Sequence, residues 1–400
     1  MKELRGIRLG ILAAMCGLIA SGVGIISNIA GLFFEPMAET LGTGRGAVSV
    51  SLTICNLVFA LGGMMSAKIV TPARFKPALL AGTVLEAGAT ALISAIQGVT
   101  GLYVLNAVRG FAAGVLGFVL VTGIINRWFT RNTALITSIV LGWSGLTAAI
   151  FSPLVSAFLL HAGWRRGCLL CAGLIAVLNL PALVLPFGLS PDPYIGEEPK
   201  TTDMPEDRPK VNHSLLAAGI LVSVCSSAVA SMPQHFPGLS SSYLLPVTNG
   251  SAMLSVCMLS NTGGKLLFGM IADRISSKTA LRLFSALMLV ALLMLFIPRP
   301  AVLLAASLLA GFTYAVSTVG IVVLTKDLFG LERYDAIYPG LSFAGSVSYA
   351  VFSSLIGFMY DGSNSYASSL ILLAAVNALM LAAILYAYRK PVRTHAGSRS

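Results

Sequence analysis

Twelve apolar runs of 18 or more residues fill most of this chain: 8–34, 46–67, 77–97, 101–126, 132–160, 167–189, 214–240, 249–271, 280–297, 300–325, 337–360 and 366–388. About 20 apolar residues in a helix cross the hydrocarbon core of a bilayer. Inside lipid, every backbone donor and acceptor must be satisfied within its own helix or in a closed barrel. No period-two alternation of apolar and polar residues supports a barrel. The expected fold is therefore all-α, with twelve transmembrane helices.

Composition excludes the main alternatives. The chain is 56% hydrophobic and 10% charged, whereas soluble domains carry roughly 25% charge. The net charge of +11 is no sign of a nucleic-acid partner, because the basic residues lie between apolar runs and at the chain ends. With both termini placed in the cytoplasm, twenty Lys and Arg fall in cytoplasmic segments. Only Arg45, Arg165, Arg166 and Arg299 fall outside. That bias predicts cytoplasmic termini in the cell (inner or plasma) membrane. The first apolar run has no cleavage site and is expected to be retained as a span. All six cysteines lie in apolar runs, and Cys168-x-x-Cys171 is read as small apolar filler. There is no phosphate-binding G-x-x-x-x-G-K-[ST] loop, zinc motif or nucleophile triad. No metal, cofactor or enzymatic activity is expected.

The longest polar segment, 190–212, holds five prolines and six carboxylates and separates six runs from six. It reads as a cytoplasmic linker between an N-terminal bundle (1–189) and a C-terminal bundle (213–400). The two bundles echo one another about 201 positions apart. Gly62-Gly63-Met64 answers Gly263-Gly264-Lys265, Gly110-Phe111 answers Gly311-Phe312, and Phe151-Ser152-Pro153-Leu154 answers Phe352-Ser353-Ser354-Leu355. Such two-half membrane proteins carry their site where the halves meet.

Two cations stand deep within the runs, Lys265 and Arg109. A cation at membrane depth costs roughly 3 kcal/mol on insertion scales, so it needs water, an acid or an anionic ligand. Lys265 is read as a substrate-binding cation, with an ion pair to Glu86 as the structural alternative. Asn261, one turn earlier on the same face, would support Lys265 or the substrate. Arg109 suits a second anion site, a salt bridge or helix packing. Glu86, the one deep acid, suits a lipid-adjacent, protonated or paired carboxyl, or a proton-coupling group. His235 suits a helix-end residue or a coupled proton carrier. Trp143 and Asn28 are further pocket candidates.

The chain resembles the major facilitator superfamily. The resemblance rests on six plus six spans and on Gly269-Met-Ile-Ala-Asp273-Arg274, which is similar to that family's G-x-x-x-D-R gating loop. The matching first-half loop, Ala67 to Arg74, lacks the Asp. More narrowly, Phe33-Phe34-Glu35-Pro36 with Gly44-Arg45-Gly46, Asn126-Arg127-Trp128-Phe129, Ser144-Gly145 with Pro153-Leu154, and Gln234-His235-Phe236-Pro237 resemble the monocarboxylate transporter and oxalate:formate antiporter branch. In that branch an Arg stands at the place of Lys265, a proton-coupling Asp at Asn261, and Tyr at both Tyr314 and Phe118. The resemblance implies a monomeric secondary transporter of a small organic anion, a monocarboxylate, driven by a proton or a counter-anion. The competing readings are an efflux carrier for drugs or neutral metabolites and a non-transporting membrane sensor.

Overall fold

The computed structural model describes residues 2–129, 133–189 and 212–389; the linker expected at 190–212 lies almost wholly outside them. Among the described residues there is no strand, and eleven helical segments are long and apolar enough to cross a membrane. One of these, Ile139–Val184, has 46 residues, about 69 Å of helix and enough for two crossings. It is broken at Gly163, whose φ of 76° and ψ of 164° are accessible only to glycine without strain. That break makes spans five and six of Thr133–Val184 and brings the total to twelve.

Span one runs through Lys2–Ile19, a π-helical stretch Ala20–Asn28 and Gly31–Leu41. Span two is Arg45–Ile69 and span three is Phe75–Ile93. Span four joins Val99–Leu116 to Phe118–Trp128. In the second half, span seven is His213–Ala230 followed by a 3-10 turn and Phe236–Ser242. Spans eight and nine are Val247–Arg274 and Ser277–Met294. Span ten joins Pro300–Thr313 to Val319–Phe329, and Leu331–Ser363 and Ala367–Ala387 complete the set. Every third span, counting from the first, is interrupted. In span seven the cause is plain, since Pro233 and Pro237 each remove a backbone donor. Gly117 and Thr318, at the breaks in spans four and ten, are 201 positions apart, so the echo extends to the backbone.

Packing corrects the register of that echo. A Cβ on Gly62 would run into the carbonyl of Phe111, and one on Gly264 into that of Phe312. Gly110 lies likewise on the Cys55 backbone, and Gly311 on that of Cys257. Spans four and ten therefore correspond at an offset of 201, but spans two and eight at 202. The first-half equivalent of Lys265 is Gly63, not Met64. Met64 matches Leu266, and the two are 74% and 59% exposed. Glycines meet backbone at these crossings because lipid offers helices no hydrophobic drive to associate, leaving close contact to hold them.

Among the described residues, the hydrogen bonds between the halves gather at one end. Among the described residues, every hydrogen bond found between them joins residues 28–53 or 149–152 to residues 234–255 or 350–366. This is the end away from both termini. Its main tie is Asp361, whose two carboxylate oxygens accept from the backbone N–H groups of Arg45 (2.9 Å) and Gly46 (2.7 Å). These are the first N–H groups of span two, so an acid from span eleven caps a helix of the other half. Gly44, the residue in N-cap position, makes room, since a Cβ there would collide with the Asp361 carboxylate. The Arg45 side chain pairs with Glu35, donates to the Gly238 carbonyl (3.2 Å) and lies 4.2 Å from the Tyr360 ring centre. Deeper in, the Thr53 hydroxyl meets the Ala350 carbonyl and the Ser354 hydroxyl, each at 2.5 Å.

Losing a helix cap costs about 1 kcal/mol. Asp361→Ala should therefore shift the balance between sealed and separated ends by about fivefold. Spin labels at the exposed positions Glu39 and Gly362 report it: the short-distance population should shrink in the variant and persist in Asp361→Glu.

Candidate functional site

The contact between spans five and eight continues past the last of these bonds. Span eight presents a stripe of residues spaced by three and four to span five. The Ser152 hydroxyl donates to the Ser251 carbonyl (3.2 Å), and the Ser255 hydroxyl to the Ala149 carbonyl (2.9 Å). Further along, Met258 and Thr262 face Gly145 and Gly142. The next position on that stripe is Lys265. It lies nine residues before Arg274, about 14 Å along the axis from the end of the span. Its side chain is partly buried and has no hydrogen-bond or ion-pair partner among the described residues. Asn261, a turn away, is buried, and its Oδ1 has no partner either. Two polar groups one turn apart thus lie without partners among the described residues.

A second polar chain crosses the sealed side of that region. Gln234 donates to the Tyr349 hydroxyl (3.2 Å) and to the Asn28 carbonyl (3.5 Å), while its Oε1 accepts from the Gly31 N–H (3.2 Å). Asn28 donates to the Ser144 carbonyl (3.3 Å). The expected candidate Asn28 is thus joined to Tyr349 through Gln234, and Tyr314 lies close to Tyr349. Phe118 and Trp143 are 39% and 40% exposed, and Phe118 meets Phe59 edge-on at 5.7 Å.

Other candidates lie elsewhere. His235 is buried in the seal, bonded through Nε2 to the Ser353 carbonyl (2.8 Å) and flanked by Phe34 and Tyr366. Glu86 is neither lipid-adjacent nor paired with Lys265. It is 1% exposed and sits inside the first half, where the Asn179 amide donates to its Oε2 (3.1 Å). The same amide donates to Thr83 (3.2 Å), and the Asn179 oxygen accepts from Ser21 (2.7 Å). The other carboxyl oxygen of Glu86 is buried without a partner. Arg109 also lies inside the first half, with Nε and Nη2 on the Asn106 side-chain oxygen (2.9 and 2.7 Å). No ion pair joins it to Glu86. Of the expected gating loop, Gly269 is open to any side chain, Arg274 is exposed, and the Asp273 side chain lies outside the described ones.

The Major Facilitator Superfamily model matches residues 14–301 and 216–400. The chain belongs to the major facilitator superfamily. Solved structures similar to this superfamily member include a point mutant of the nucleoside transporter NupG, at a TM-score of 0.75 and 13% identity, covering 95% of this chain and 100% of that one. No curated protein matches in sequence. At that identity the likeness shows the fold, a multi-pass transporter fold, and leaves the cargo open.

Sequence reasoning missed Gln234 as a site residue, along with Tyr349 and Asp361. Tyr349 stands out in hindsight as a hydroxyl-bearing ring among the small residues of span eleven, and Asp361 as the acid at that helix's end.

The Asn179 cluster yields a direct test. Asn179→Leu takes the amide donor from Thr83 and Glu86 in the buried interior, while the Ser21 hydroxyl keeps the Leu18 carbonyl, and each stranded group costs about 1–3 kcal/mol. A large fall in melting temperature is expected from Asn179→Leu and a small change from Glu86→Gln, measured by thermal denaturation of the purified protein.

Proposed function

We propose that this superfamily member is a secondary active transporter of a small organic anion, a monocarboxylate, working by alternating access. The observation that carries this reading is Lys265, a cation at membrane depth on the inter-half stripe of span eight with no acid beside it among the described residues. A buried charge is stable only when paired or hydrated. A carboxylate entering from the open end would supply that pairing, and Asn261 would add a hydrogen bond to it. One ammonium suits one carboxylate better than two. Lys also grips as a point charge, not as the planar fork of an Arg.

Arginine and lysine placement sets the direction in this reading. With both termini cytoplasmic, the bonded end faces outside and the open end faces the cytoplasm. In this reading the Asp361 cap and the Gln234 chain lie on the outer path, and the state is inward-facing. The likeness of Glu35, Arg45 and Gln234-His235-Phe236-Pro237 to the monocarboxylate and oxalate:formate branch supports the same substrate class. A drug or neutral-metabolite carrier is the competing reading, and it calls for Lys265 to be neutralised by a neighbouring acid.

Uptake of labelled small carboxylates into proteoliposomes tests the proposal. Lys265→Gln should raise the Kd for the carboxylate roughly 10- to 100-fold, the worth of one charge-assisted hydrogen bond. Lys265→Arg should retain uptake. Wild-type uptake by a well-folded Lys265→Gln protein would refute the proposed role.

A further inference from the structure

The first half contains a small cavity that the transport reading does not use. It lies between spans one, two, three, four and six, near the sealed end, and has a volume of about 30 Å³. A water needs about 10–15 Å³ by this measure, so the cavity takes two waters or one monatomic anion and is too small for an organic carboxylate. Its walls are largely apolar, with Ile25, Phe33 and Leu52 among them. The polar residues lining it are Arg109, Ser51, Thr90 and Asn106, with the thiols of Cys168 and Cys171.

Arg109 is the decisive group. A guanidinium carries five N–H donors and no acceptor. Two of its nitrogens bond the neutral Asn106 oxygen, and no carboxylate pairs with it among the described residues. Arg109 is partly buried. The acid inside the same half, Glu86, turns one carboxyl oxygen toward Asn179 and does not bond Arg109. The Thr90 hydroxyl and the Asn106 amide spend their donors on the carbonyls of Glu86 and Leu102, which leaves Arg109, Ser51 and the two thiols as the groups able to donate to an anion in the cavity. We infer that this cavity is a binding site for a small monovalent inorganic anion of the halide class, held by Arg109. It is distinct from the inter-half region, and it stands or falls independently of the role of Lys265.

Bromide and chloride serve as probes. Purified protein in chloride should melt at a higher temperature than in gluconate at equal ionic strength, with a saturating dose response, because ligands of the native state stabilise it by mass action. Gluconate is too large to enter. Arg109→Gln should melt at the wild-type gluconate value and lose the chloride response, with an apparent Kd weakened at least roughly tenfold. Lys265→Gln should keep the full response. If Arg109→Gln does not fold, anomalous scattering from crystals grown in bromide decides the matter alone. A bromide peak within hydrogen-bond reach of the Arg109 guanidinium upholds the site. Water in the cavity at saturating bromide, or a chloride response that survives Arg109→Gln, overturns it.

Discussion

Helices immersed in lipid gain nothing from hiding leucine from their solvent, so the order of this bundle depends on close backbone contact and on satisfied polar groups. Both devices recur at each place where the fold is specified. Glycines at 62, 110, 264 and 311 press helix against helix at matching points of the two halves. Where the halves meet, the same logic holds Gly46 and Gly357 together and leaves room for the Asp361 carboxylate beside Gly44. That carboxylate then bonds the two N–H groups that begin span two. An acid at a helix N-terminus gains from both the hydrogen bonds and the helix dipole. Among the described residues these ties between the halves gather at one end, the distribution that the proposed alternating access calls for.

Much of the fold was legible in the sequence because membrane insertion writes it in long apolar runs. All twelve were found, and the break between spans five and six at Gly163 falls in the predicted gap. Register was harder. Counting identities placed Met64 opposite Lys265, whereas helix crossings place Gly63 there, since contacts between spans two and four carry a different offset from the sequence echo. The Asp361 cap was not legible at all. Its partners lie 316 and 315 positions away, and nothing local to an acid at a helix end says which helix it will cap.

The ionisable residues show the same division. Their depth could be read from the runs, but not the direction they face. Glu86 looked like a lipid-side group by the position of its span, yet Asn179 from span six draws it inward. Lys265 was identified by cost alone, and its place on the span-five face of span eight came only from the positions of Ser255, Met258 and Thr262. Arg109 illustrates a middle case: its need for a partner was evident, while the small cavity beside it depended on five helices coming together.

The crossing at Gly46 and Gly357 has a mechanical meaning of its own. A Cβ on Gly357 would strike the Gly46 Cα and the Ser49 hydroxyl, and one on Gly46 would strike the Phe358 ring and backbone, so the two main chains touch with little between them. Any larger residue at either position would wedge the halves apart at the very point where the carboxylate clasp holds them, so the clasp depends on this close fit as much as on its own hydrogen bonds.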